Sequence, residues 1–335
     1  MFYNPAMAGD RDLGVAFARA WASLAGPGRS GWEVAAATGV RGLRLLHESG
    51  AFDRYHLTEA NPEAAQLLAE NAARYRGASS ECGDGRRAPA GADFDYVDID
   101  PYGTPTPFVP AALSAVRPGG VLAVTATDMM VLAGVQKGAC AHRYGARPIR
   151  GRLGPEGGLR ILLGYLARTA RARGRVVRPL MAYVRDHHVR VYAAIGPADD
   201  RAPEDPVGTI DPARWTGPPV GEPGPFGPMW LGPLWDERLV AALRVPSTAA
   251  RPREVARYIE RFQEEAPVDR PFYYESNRLA ASLRLSAPPA LAALLDLLRR
   301  RGFLAARTHA RPEGLRTDAP RSEVEAAARS LAGAP

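Results

Sequence analysis

The chain has 335 residues, 46% of them hydrophobic: room for about two domains of the ~150 residues typical of one, with apolar material for ordinary cores. Gly and Pro, 34 and 31 in number, stay below the roughly one-quarter share that marks low-complexity chains. The formal charge of +7 and a pI near 9.7 favour a polyanionic partner, while the only cysteines, Cys82 and Cys140, exclude a disulfide framework and a Cys-rich zinc site and point to the cytoplasm.

The start, Met1-Phe2-Tyr3-Asn4-Pro5, lacks the basic and apolar regions of a signal peptide. The longest apolar stretch, near Leu122 to Val135, is broken by Asp128, so neither export nor membrane spanning is expected. From Trp32 to Thr127 short apolar runs alternate with helical patterns in the order β-α-β-α-β-β-α-β, as in a doubly wound, Rossmann-like α/β sheet. The strands are expected at 32–37, 55–58, up to Cys82, at 94–99 and at 121–126. Asn61-Pro62-Glu63 is a helix start, a capping residue followed by proline at the first helical position. A helix over 157–173 precedes two strand-like runs, 176–184 and 188–195, that would extend the sheet. Residues 201–235 lie in a stretch rich in Pro, Gly and Trp and read as a linker or irregular edge. The domains predicted are therefore a catalytic domain over 1–200 and a smaller, mostly helical C-terminal domain over 236–335, with helices near 236–243, 253–265, 274–283 and 289–301 and a short hairpin after Gly302.

In an open α/β sheet, ligands bind at the carboxyl ends of the strands, and four features fall there. Ala37-Thr38-Gly39-Val40-Arg41-Gly42 is a small-residue turn that either lets a cofactor approach the backbone or is simply tight. Glu59, about twenty residues on, has the spacing of a carboxylate that receives ribose hydroxyls, or is a solvated strand end. Asp84, after the third strand, is placed to accept from an adenine amino group, or belongs to an Asp-Gly turn. Asp98-Ile99-Asp100-Pro101-Tyr102-Gly103 resembles the acid-proline-aromatic site of amino-group methyltransferases. An exocyclic amine on a base is a poor nucleophile, because its lone pair is delocalised into the ring. A carboxylate and rigid carbonyls that accept from its N–H bonds hold it in line with a methyl donor, while an aromatic face stacks on the base.

Together the motifs resemble the tRNA guanosine-26 N2-dimethyltransferases over nearly the whole chain. They include Phe2-Tyr3-Asn4-Pro5-Ala6-Met7 with Arg11-Asp12, Ala37 to Gly42, Asp98 to Pro105, Thr125-Ala126-Thr127-Asp128, Lys137 to Tyr144, Gly158 to Leu162, Asp186-His187-His188-Val189-Arg190-Val191, Gly227 to Gly232, Arg307-Thr308-His309 and Thr317 to Pro320. The resemblance implies a class I fold using S-adenosylmethionine. Arg11 would reach the methionine carboxylate, Ala37, Thr38 and Gly39 would line the cofactor, Glu59 would hold the ribose and Asp84 the adenine. Asp100, Pro101 and Tyr102 would form the catalytic base pocket. Glu33 and Glu59 stand where the family usually has Asp, and Tyr102 where Phe is more frequent.

Arg299, Arg300, Arg301, Arg307, Arg311 and Arg316 flank the last helix and hairpin and fit a phosphate grip on tRNA, or a solvated face. His187 and His188 are read as structural. No metal and no obligate protein partner is expected. Methylation of an adenine or cytosine amino group in DNA or another RNA is the rival enzyme reading, and a tRNA-binding protein with an idle site is the rival from another class.

Overall fold

A computed structural model gives the architecture and describes residues 4–198, 205–268 and 270–332. In chain order, α1 (Ala8–Ala25) is followed by β1 (Arg29–Glu33), α2 (Val40–Glu48), β2 (Phe52–Glu59), α3 (Pro62–Ala72), β3 (Ala78–Cys82), β4 (Phe94–Ile99), α4 (Val109–Ala115) and β5 (Val116–Ala126). Then come α5 (Met129–Leu132), α6 (Lys137–Tyr144), α7 (Gly154–Arg171), β6 (Arg175–Arg185), β7 (His188–Pro197), β8 (Val207–Ile210), β9 (Phe226–Trp230), α8 (Glu237–Ala242) and α9 (Pro252–Glu265). The chain closes with β10 (Tyr274–Glu275), α10 (Ser276–Leu283), α11 (Leu291–Arg300), β11 (Ala305–Arg307), β12 (Gly314–Thr317) and α12 (Arg321–Leu331).

Seven strands form one sheet in the order β3-β2-β1-β4-β5-β7-β6. The first five run parallel, and β7 lies antiparallel to both β5 and β6. The doubly wound expectation holds, and the two later runs do extend the sheet. Its central strands are covered on both faces, which is why Tyr96-Val97 and Val121 to Val124 are fully buried and read as continuous apolar runs rather than alternating ones. Local signals set the starts: the Asn61 side chain accepts from the Glu63 and Ala64 amides, with Pro62 at the first position of α3. Helix α1 escaped the periodicity reading because it is buried nearly all round, from Ala8 to Ala18 without interruption, and so lacks a polar face.

Of the segment expected as a linker or irregular edge, residues 201–204 lie outside the described residues, and 205–235 pack on the rest of the chain. Strands β8 and β9 pair antiparallel, and Ile210, Phe226, Met229 and Trp230 are buried in the same apolar cluster as the main sheet. Its proline and glycine density records turns, not an absence of core. That cluster runs on through α8 and α9 to Tyr273. A second one, built on Tyr274, Leu279, Leu294, Leu298, Leu315 and Val324, underlies the three-stranded sheet β10-β12-β11, so the apolar division falls nearer residue 273 than 236.

Charge also ties the C-terminal part to the rest. Arg316 on β12 donates to Glu156 of α7, at 2.8 and 3.0 Å, and to Glu265 of α9 at 2.7 Å. Glu265 also accepts from the Thr308 hydroxyl and from His309 Nδ1 at 2.6 Å, while the Val184 amide of β6 donates to His309 Nε2. All three charged residues of this knot are buried. Burial alone would push both carboxyls up, but Arg316 and Arg160 hold Glu156 down at about 2, and His309 and Arg316 hold Glu265 well below the usual range. Among the described residues no helix is long and apolar enough to cross a membrane, and no cluster of three or more His, Cys, Asp or Glu could hold a metal.

Candidate active site

In an open α/β sheet of this order the candidate crevice is the one at the carboxyl ends of β1, β2 and β4. Between β1 and α2 the chain makes a turn in which Ala37 has φ +47° and Gly39 caps α2 in the left-handed conformation. A side chain on Gly39 would point inward, 2.6 Å from Leu68. Gly39 is therefore required by backbone and packing, whereas Ala37 is exposed and Thr38 half-buried. Helix α2 starts hard against the strands: the Gly42 amide donates to Glu33 Oε2 at 2.9 Å, and a Cβ there would lie 2.7 Å from both Glu33 and Tyr55. Glu33, buried, thus serves the helix start. Burial and then the neighbouring Asp98 push its carboxyl well above the ordinary range.

Glu59 ends β2 and pins the turn. Its Oε2 accepts from the Ala37 amide at 2.7 Å and its Oε1 from the Asn61 amide at 2.8 Å. A carboxylate has about four lone-pair sites, so both oxygens of this half-buried group can still accept from ribose hydroxyls. Together with the outward Ala37 and Thr38, that donor and acceptor set fits the adenosyl part of S-adenosylmethionine. Asp84 is also half-buried, and both its oxygens accept from Arg86, at 2.8 to 3.0 Å; this pairing lowers it to about 2. Arg11 lies in α1, buried, and donates through Nη2 to the Asn4 carbonyl at 3.0 Å. Phe2 and Tyr3 of the motif lie outside the described residues.

Beneath the crevice is a buried charge network that sequence reasoning did not assemble. Asp98 on β4 is clamped by the two terminal guanidinium nitrogens of Arg190 on β7, at 2.7 and 2.8 Å, and accepts from the Tyr96 hydroxyl at 2.9 Å. Asp98 and Arg190 are fully buried, which makes them foundation rather than substrate contacts. Asp100, two residues on, reaches the crevice with its side chain 24% exposed. Arg41 donates to its Oδ2 from Nε at 2.9 Å and from Nη2 at 2.7 Å. Arg41 Nη2 also contacts Asp10 of α1 at 2.9 Å, and Asp10 accepts from the Tyr183 hydroxyl at 2.6 Å and lies 3.1 Å from His188 Nε2. His188 is therefore structural, as expected. Burial alone would raise Asp10, but His188 and Arg41 hold it well below the carboxylate range. For Asp100, too, burial is outweighed, by Arg41 and then Arg190, and the net shift is downward. Asp100 is thus a fixed, ionised acceptor.

Pro101 is half-buried beside it, and the Tyr102 ring is 77% exposed at the mouth. The Gly103 amide donates to the Thr127 hydroxyl at 2.7 Å, and the Thr127 amide to the Gly103 carbonyl, so the loop is clasped to the end of β5. The arrangement presents an anionic acceptor next to an exposed aromatic residue, a geometry for a flat, amine-bearing ring.

The arginines assigned to RNA divide. Arg299, Arg300 and Arg301 are exposed, although Arg299 donates to the Ala305 carbonyl and Arg301 pairs with Glu323 at 3.0 Å. Arg307 and Arg311 are half-buried. Arg316 is 2% exposed and locked between Glu156 and Glu265, so it cannot meet a phosphate, and its assignment is corrected to a buried structural tie. Asp10, Arg41 and Arg190 had a legible signal: a charge on an apolar strand or in a helix start must find an opposite charge when buried.

The family model described as N2,N2-dimethylguanosine tRNA methyltransferase matches residues 1–204 and 220–329. The tRNA (guanine(26)-N(2))-dimethyltransferase of Thermococcus kodakarensis is 35% identical over 96% of this chain and 90% of its own length. That of Aeropyrum pernix is 34% identical over 97% and 88%. The solved complex of Trm1 from Pyrococcus horikoshii with S-adenosyl-L-methionine superposes with a TM-score of 0.83 at 27% identity, covering 97% of this chain and 94% of that one. With its sheet order, crevice and whole-length likeness in agreement, the chain belongs to the N2,N2-dimethylguanosine tRNA methyltransferase family.

Proposed function

We propose that this S-adenosylmethionine-dependent tRNA methyltransferase acts on N2 of guanosine 26 and carries out the reaction in the Asp100-Pro101-Tyr102 crevice, in the cytoplasm. The donor supplies a methyl carbon on a sulfonium. The Ala37-Thr38 turn and Glu59 hold it, with Arg11 at the methionine end and Asp84 at the adenine. The target guanine enters flipped out of its stack, as base-modifying enzymes require, and Tyr102 stacks on its face. Asp100, oriented by Arg41, accepts from one N2–H and turns the nitrogen lone pair toward the methyl. As the N–C bond forms and the C–S bond breaks, N2 becomes cationic and acidic, and the Asp100 carboxylate is placed to take the proton and pass it to water. Positioning and electrostatics supply the rate. A second methyl requires readmission of the singly methylated amine to the same pocket.

The observation that carries the reading is the Arg41–Asp100 clamp beside an exposed aromatic ring. The test is mass mapping of nucleosides after an unmodified tRNA transcript is incubated with the protein and donor. N2-methyl- and N2,N2-dimethylguanosine at position 26 are expected. A methylated DNA with untouched tRNA would favour the rival enzyme reading, and tRNA binding without donor binding the idle one.

A further inference from the structure

A second concave feature, outside the crevice, is a groove of about 660 Å³ between the loop after α6, the loop before β9 and helix α10. Its apolar lining includes Leu153, Val220, Tyr274 and Leu279. Both walls are braced. Glu222 accepts from the Arg150 amide at 2.6 Å and pairs with Lys137 at 2.9 Å, while Arg152 pairs with Glu275 at 3.0 Å and its carbonyl accepts from the Tyr273 hydroxyl. These contacts engage the groove's two carboxylates. Arg150 on one wall and Arg278 on the other are exposed, and among the described residues neither guanidinium has a hydrogen-bond or ion-pair partner. Between Asp128 and Glu156 the chain has five cationic residues and no carboxylate, and this segment begins where Thr127 clasps the Tyr102-Gly103 loop.

We propose that this groove is a docking site for a nucleotide segment of the tRNA next to the target, with Arg150 and Arg278 on its phosphates and a base or ribose against the apolar floor. The proposal rests on the tRNA reading above and adds a surface on which the catalytic and C-terminal parts grip one strand together. An arginine fork suits a phosphate bidentately, and contacts of this kind give salt-dependent affinity.

The test uses the full chain and an unmodified tRNA transcript, with Kd measured across a salt series and KM measured for tRNA and for donor. Changing both residues, Arg150→Gln with Arg278→Gln, is expected to weaken tRNA binding roughly tenfold and to flatten the salt slope by about 1.5, leaving donor KM unchanged. Ala281→Trp, at an exposed position on the lining, is expected to raise tRNA KM by blocking the floor, with an unchanged melting curve. If wild type methylates tRNA while all three substitutions leave Kd, slope and KM at wild-type values, the groove proposal is overturned and the functional reading stands. If wild type does not bind tRNA, both fall.

Discussion

Two buried charge networks in this molecule are built from the same parts and end differently. The one beneath the crevice, Asp10-Arg41-Asp100 with Asp98-Arg190 below it, terminates in a carboxylate that solvent can reach. The one between the two apolar clusters, Glu156-Arg316-Glu265, is sealed at every member. A buried ion pair contributes little net stability over an apolar replacement, yet removing one partner is costly. The sealed network therefore acts as a joint between parts of the chain, and the open one as a mount that fixes the direction and charge of one working group.

That difference is sharpest at Asp100. Asp100→Ala is expected to lower the methyl-transfer rate by a factor on the order of 10³ or more, with tRNA affinity within a few fold of wild type. Near-normal single-turnover rates would remove Asp100 from the mechanism. Arg316→Met removes the cation that Glu156 and Glu265 share, leaving Arg160 on the one and His309 on the other, and is expected to cost roughly 3–5 kcal/mol in denaturant unfolding, while the salt slope of tRNA binding stays as it was. A changed slope in a stably folded variant would return Arg316 to the RNA surface. Arg41→Gln touches the mount alone. Its turnover is expected to fall by up to about 100-fold, and the acid limb of the rate profile to move to higher pH, because the cation that keeps Asp100 low is gone; an unmoved limb would mean Arg41 is only packing.

The sealed knot also has a pH signature. The folded carboxyls of Glu156 and Glu265 lie below their ordinary value of 4.5, so the stability they contribute is complete above that value. It is lost as pH falls toward 2. Melting temperature should therefore decline steeply below about pH 4.5, and less steeply in Glu156→Gln. The smallest effect is expected at the exposed arginines. Changing Arg299, Arg300 and Arg301 together to Gln should weaken tRNA binding a few fold and flatten its salt dependence, since Arg299 and Arg301 are partly engaged within the protein.

Much of the sheet was legible in the sequence because strands buried on both faces leave uninterrupted apolar runs, and because Asn61-Pro62 marks a helix start by its backbone chemistry. The packing of residues 207–230 was not, since Pro and Gly report local dihedrals and are silent about what the intervening Phe226 and Trp230 touch. At the site, Glu59 and Asp100 were readable from their place after a strand. For their supports, the sequence could show only that Asp10, Arg41 and Arg190 are charges needing partners; which partners was not readable, because the three come from distant stretches that only the fold brings together. Arg316 shows the reverse error: in a sequence, an arginine in a basic tail looks solvated, and only its carboxylate neighbours from α7 and α9 show it to be interior.

The most direct test of the central claim is a crystal structure of the protein with S-adenosylmethionine or its demethylated product. The account predicts the ribose hydroxyls on Glu59 and the sulfur at the crevice between the Ala37-Thr38 turn and Asp100, with the side that bears the methyl facing the Tyr102 ring. A cofactor seated elsewhere, or a crevice beside Asp100 that stays closed to it, would contradict the account.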